Sequence, residues 1–208
     1  MRKTNMLLLA VIGALAVSAA GTAASPKSVT ISASRPTVVY GASVSLSGKI
    51  SDSKSGEKVD VLAEPFGTTS LSTLTTVDTT AGGHWTSTAS PTIQTMYEAK
   101  WKGQTSSSVT VKVRPAIKLT FVSKSGRVGT FSVMATAAHS FAGKFVLVQR
   151  LTSTGISTLK KVTLDSTSAA TFHVRLHHGR SRLRAVMPTS QAGPGYITGF
   201  SNVVTVTR

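Results

Sequence analysis

The chain has 208 residues, no cysteine, and 23 Lys/Arg against seven Asp/Glu, a formal net charge of +16. Without cysteine, disulfide scaffolds, thiol nucleophiles and thiolate metal sites are excluded, so the fold must rest on apolar burial. The length suffices for two domains of ordinary size, each with its own core.

Arg2 and Lys3 precede an apolar run from Met6 to Val17, and the small residues Ser18, Ala19, Ala20, Gly21, Thr22, Ala23 and Ala24 follow it. This charged, apolar, small-residue order predicts a signal peptide over residues 1–24, cleaved near Ala24. The apolar core is about a dozen residues, short of the roughly 20 that span a bilayer. No cysteine follows to take a lipid, and no second apolar stretch lies near the C-terminus. The expectation is an exported mature chain without a transmembrane anchor, extracellular or held at the cell surface.

After the leader, Val, Thr and Ser dominate, and apolar residues alternate with polar ones in short runs bounded by Gly, Pro, Ser or Asp. Val29-Thr30-Ile31-Ser32, Val44-Ser45-Leu46-Ser47 and Val109-Thr110-Val111-Lys112-Val113 each send every second side chain to one face. About seven such segments per half, at roughly ten-residue spacing, predict an all-β chain of two tandem antiparallel β-sandwiches of immunoglobulin-like type. Trp85 and Trp101 are assigned to the core, the latter because it shares the parity of Tyr97 and Ala99.

The halves overlay at landmark positions: Leu46 and Val61 match Phe131 and Val146, and Trp85 and Tyr97 match Phe172 and Leu183. Each half closes on a Val/Thr strand, Ser107–Val113 and Ser201–Thr207. The boundary falls at Arg114-Pro115, giving domains over 27–114 and 115–208, and the next strand, Ile117–Val122, follows so closely that relative motion should be limited. The second half departs from the first by a longer loop, Pro188 to Phe200, before its last strand.

Charge divides along the same boundary. Residues 27–114 carry nine Lys/Arg and six Asp/Glu, whereas residues 115–208 carry twelve Lys/Arg and one acid, Asp165. A near-neutral half followed by a strongly basic one points to an anionic partner for the second, with solubility as the plainer reading of the same charge.

The segments Ser32-Ala33-Ser34-Arg35-Pro36-Thr37-Val38-Val39-Tyr40-Gly41, Val44-Ser45-Leu46-Ser47-Gly48 and Tyr97-Glu98-Ala99 resemble the bacterial Ig-like domains repeated in secreted and surface proteins of actinobacteria and their relatives. The resemblance covers both halves, the first more clearly, and implies an adhesive, spacer or display module without enzymatic activity. It carries over no binding residue. The Cys…Trp…Cys pattern of antibody domains is absent, and Tyr97 is the candidate corner tyrosine of the sixth strand.

Catalytic patterns are sparse. Gly155-Ile156-Ser157-Thr158-Leu159 fails the nucleophile-elbow pattern at its last position. Carboxylate pairs are available only in the first half, and there Asp60 and Glu64 alternate onto the face opposite Val59, Val61 and Ala63, a solvated sheet surface. His173, His177 and His178 cluster without a nearby carboxylate or thiol, and His177-His178-Gly179 reads as a turn. Phosphate-cradling loops, dinucleotide fingerprints and calcium-loop acids are missing. The chain is therefore expected to be non-catalytic, with no cofactor and no metal.

The candidate polyanion contacts are Arg180, Arg182 and Arg184, which alternate outward from Leu183 and Ala185, together with Arg175. His173, Arg175 and His177 form a second outward row. Fifth and sixth strands of such a sandwich belong to opposite sheets, so the rows should converge only near His178 and Arg180, as a diffuse basic domain and not one groove. No aromatic residue interleaves Arg180–Arg184, which argues against sequence-specific nucleic-acid binding. In the Pro188–Phe200 loop, Tyr196 and Phe200 are either recognition anchors or caps folded onto the core. The leading expectation is an exported structural and adhesive protein whose basic half contacts anionic cell-wall polymer. The alternative is a module that binds a glycan or another surface protein through Tyr196 and Phe200.

Overall fold

The computed structural model describes residues 26–208, so the signal peptide expected over 1–24 lies outside the described residues. In the first half the strands are β1 (Ser32–Ala33), β2 (Thr37–Val39), β3 (Val44–Lys49), β4 (Lys58–Pro65), β5 (Ser72–Asp78), β6 (His84–Ala89), β7 (Thr95–Trp101), β8 (Gln104–Thr105) and β9 (Val109–Arg114). In the second they are β10 (Ala116–Ser125), β11 (Val128–Thr136), β12 (Phe145–Thr152), β13 (Gly155–Thr163), β14 (Ala169–Arg175), β15 (Arg180–Met187), β16 (Gly199–Phe200) and β17 (Val204–Thr207). A single helical turn, α1 (Thr189–Ala192), interrupts the long loop.

The protein is all-β. One sheet has the order β1-β3-β6 and a second β2-β9-β7-β4-β5, with β8 hairpinned onto β7. The second half repeats the division as β10-β11-β14 and β13-β12-β15, where β16 and β17 both pair with β15. All named pairs are antiparallel except β2 with β9. Among the described residues no sheet mixes strands of the first half with strands after Pro115.

Alternation decides which face is buried. On β4, Val59, Val61 and Ala63 are buried while Asp60, Leu62 and Glu64 are only partly so. Trp85, Trp101, Phe131, Phe141 and Leu183 are all 1 % exposed or less and anchor the core. Gly48 marks a close approach within it: a Cβ there would collide with the Thr30 carbonyl and come 2.7 Å from the Trp85 ring.

The landmark residues of the repeat occupy corresponding strands and all are buried, but some ladders slip by two residues. Tyr97 lies opposite Ala63 and Ala99 opposite Val61, whereas Leu183 lies opposite Arg150 and Ala185 opposite Val148. Val61 therefore corresponds to Val148 and not to Val146. A shift of two preserves the face, so sequence spacing cannot detect it.

The long loop turns back onto the first half. Gln94 N donates to Gly195 O (2.9 Å), Ile197 N to Val113 O (3.0 Å), and the Arg114 guanidinium to Thr198 O. At Gly195, φ is +74° and a Cβ would lie 2.5 Å from Ile93 Cγ1, so only glycine fits. Tyr196 is 4 % exposed; its hydroxyl donates to Thr92 O (2.6 Å) and accepts from Ala138 N (3.1 Å), and its ring meets the His139 ring edge-on at 5.1 Å.

Candidate anion-binding surface

Strand β10 leaves the junction at Ala116 and runs to Ser125, where β11 turns back at Val128, which lies opposite Arg175. Arg175 therefore stands at the end of the second half remote from Arg114-Pro115. So do Arg180 and Arg182, opposite Thr207 and Thr205 near the end of β17. All three are exposed, and the neighbouring Ser181 and Leu183 are buried. Strands β14 and β15 belong to different sheets, so the two basic rows start on opposite faces.

Arg150 joins them. Its position on β12 shares the inward face of Val146 and Val148, which are fully buried, yet it carries a charge. The guanidinium emerges between the two sheets, where one terminal nitrogen donates to the Arg175 carbonyl (3.0 Å). Its Nε is shielded from solvent and has no hydrogen-bond partner among the described residues. Burial lowers the guanidinium below the usual arginine range, although an arginine stays charged at physiological pH.

Three clefts share these walls. One of about 260 Å³ is lined by Arg150, Leu159, Lys160, His173, Arg175 and His177. A second, about 300 Å³, shares Arg175 and His177 with it and adds Arg127, His178 and Arg208. A third, about 400 Å³, shares Arg150 and adds Thr152, Arg180 and Arg182. Among the described residues none has a carboxylate side chain in its lining. Among the described residues the ion pairs, Lys58–Asp78, Lys102–Glu57 and Lys102–Asp52, all lie in the first half. Asp165, whose carboxylate is held low by the Thr167 hydroxyl and the Ala169 and Thr167 amides, is spent on its own turn.

Arg175, Arg180 and Arg182 thus stand at one end, by the corner near His178 and Arg180, and Arg150 lines the clefts on both sides. Arg184 does not join them. It is half-buried, its Nε donates to Gln149 Oε1 (3.0 Å), and its guanidinium lies 5.0 Å from the centre of the Phe200 ring. Arg150 and Lys160 escape a reading by alternation, because both occupy inward positions, opposite Leu183 and Val148, and yet line a surface cleft.

The aromatic loop divides. Tyr196 is corrected as a recognition anchor, because burial between the halves puts its ring out of reach and raises its phenol above the usual tyrosine range. Phe200 remains 42 % exposed, covered by Arg114 at 5.2 Å as well as Arg184. It borders an apolar groove of about 390 Å³ with Val39, Ile117 and Met134.

No protein-family model matches the chain, and no curated protein matches it. Among solved structures it is similar to a tetra-tandem repeat in the extending region of a large adhesion protein, at 13% identity and a TM-score of 0.36. That match covers 87% of this chain and 49% of the other, so the chain spans about half the length of the structure it matches. Among the described residues no helix is long and apolar enough to cross a membrane.

Proposed function

We propose that the protein is an exported, non-catalytic structural and adhesive element. It consists of two tandem immunoglobulin-like β-sandwiches, over 27–114 and 115–208, and the second contacts an anionic polymer of the cell envelope. The sandwich reading draws on strand order: with the short β1 and β2 counted together as the first strand, the second and fifth strands of each half, β3 and β6 or β11 and β14, share one sheet. The third and sixth, β4 and β7 or β12 and β15, share the other. The fourth, β5 or β13, pairs with the third and not with the fifth, a departure from the constant-type layout.

One observation carries the adhesive reading: linked basic clefts without a carboxylate side chain in their lining among the described residues lie at the end of the second half away from the junction. The loop that bridges the halves supports a role for the first as a spacer holding that end outward. Polyanion contact of this kind weakens steeply with salt, because each neutralised charge releases counterions. The test is retention on purified cell wall across about 50–200 mM salt: retention should fall with salt, and fall further for the Arg180→Gln/Arg182→Gln variant. Retention indifferent to salt overturns the reading. Export is tested by fractionation with N-terminal sequencing; a product that starts near residue 25 and leaves the cytoplasm is expected, and one retained there with Met1 intact overturns it.

A second reading keeps the glycan- or protein-binding loop but rests it on Phe200 alone, whose exposed edge borders the apolar groove. Phe200→Ala should then abolish partner binding without moving thermal unfolding.

A further inference from the structure

We infer that the cleft between β13 and β14 is a binding site for a phosphate group, with the Arg150 guanidinium as its principal donor. The inference rests on the polyanion reading above and names the group recognised.

A charged side chain on the inward face of a sheet is costly unless paired. Arg150 has no acidic partner among the described residues, and of the five N–H donors a guanidinium offers, one is used, on the Arg175 carbonyl. That single bond tethers one arm of the fork, while Nε, without a partner among the described residues, is shielded from solvent behind it. Around it stand Lys160 from β13, and His173 and Arg175 from β14, with His177 just beyond that strand's end. Lys160 lies opposite Val148, so it shares the inward side of its ladder, and His173 Nδ1 is 3.1 Å from Thr130 Oγ1, which orients that ring. Basic groups from three strands and a turn thus converge where no carboxylate side chain does.

The distribution of donors selects the ligand. A carboxylate presents two coplanar oxygens, which one arginine fork satisfies alone. Here donors approach from β12, β13 and β14, and a tetrahedral oxyanion has oxygens to meet them in more than one plane. At about 260 Å³ the cleft is at or below the small end of ligand pockets, roughly 300–1,000 Å³, and accepts a single charged group with its immediate neighbour. It also shares walls with the clefts on either side, so a phosphate within a longer chain can continue past Arg175 or Arg180.

The alternative for Arg150 is a purely protective one, since an inward charge discourages pairing at the exposed edge strands β13 and β14. The two differ in solution. The full chain, labelled with nitrogen-15, is titrated with inorganic phosphate and separately with sodium chloride at equal ionic strength. The signals followed are the Arg150 Nε–H and the amides of 159–161 and 173–177. Phosphate should give saturable shifts that chloride does not reproduce. Arg150→Gln should weaken the response at least about tenfold, as loss of one charge-assisted hydrogen bond requires. Lys160→Gln, at an exposed position, should weaken it about threefold, and Arg184→Gln should leave it unchanged. If Arg150→Gln does not fold, Lys160→Gln and the unaltered protein's Nε–H signal decide the matter. Equal responses to phosphate and chloride, or unaltered affinity in the Arg150 and Lys160 variants, overturn the inference. Loss of the phosphate response while salt-sensitive wall retention persists overturns it alone; an intact phosphate site with no wall retention overturns the polymer reading alone.

Discussion

The two halves share a strand layout and differ most at one end. In the first half, Ile93, Phe66 and Gln94 at one end meet Gly195 of the second half's loop. In the second half, the corresponding end is open and lined by Arg150, Arg175, Arg180 and Arg182. A single ladder position captures the contrast: opposite Tyr97 stands Ala63, and opposite the matching Leu183 stands Arg150. The remote end of the first half is finished by paired charge, Glu57 accepting from Trp101 Nε1 (3.2 Å) and Lys102 Nζ (2.8 Å). An all-β layout thus meets the other half's loop in one place, carries ion pairs in another, and in a third presents cations with no acidic side chain beside them among the described residues.

The largest effect should come from removing the second core. Phe131 is fully buried and stacks on Phe172 at 5.9 Å, so Phe131→Ala should cost about 3–5 kcal/mol in denaturant unfolding. The junction comes next. Tyr196→Phe leaves Thr92 O and Ala138 N without the shared hydroxyl, and should cost about 1–3 kcal/mol. Calorimetry should then resolve two transitions where the unaltered chain shows one; a single unchanged transition would mean that the halves are not coupled through this residue.

Exchanging the contrasted ladder residues gives a smaller effect with opposite signs. Arg150→Met keeps an apolar stem and removes the unpaired charge, so it should stabilise the chain by about 1–2 kcal/mol, whereas Ala63→Arg should destabilise it. If both substitutions destabilise, Arg150 is better satisfied than its contacts indicate. The smallest effect is the pH response of Glu57, held below the usual carboxylate range by its bonds to Lys102 and then Trp101. A lowered folded pKa stabilises above the unfolded value and loses that contribution as pH falls through the folded one. The melting temperature should therefore decline on acidification toward pH 3, and decline less in Glu57→Gln.

Much of the fold was legible because it depends on local pattern. The parity of Trp101 with Tyr97 and Ala99, and of Leu183 with Ala185, follows from a two-residue period alone, and all five side chains are buried. Less of the candidate site was legible. Arg180 and Arg182 were visible as an outward row, but Arg150 has the parity of a core residue and only its place at the sheet's open end lets its head reach the surface. Tyr196 illustrates the converse, since nothing local to the loop says that Thr92 and Ala138 lie within reach of its hydroxyl.

By itself the sequence determined that this chain forms strands with one buried face, repeats its landmarks on either side of Arg114-Pro115, and concentrates positive charge in the second half. These properties belong to single strands and to composition, where neighbours a few residues apart decide the outcome. Only the tertiary structure decided which cations meet and which aromatic is hidden. Convergence of Arg150, Lys160 and Arg175 requires β12, β13 and β14 to come together from two different sheets, and burial of Tyr196 requires residues 58 and 104 positions away. Those distances are set by how sheets pack, and no periodicity along the chain encodes them.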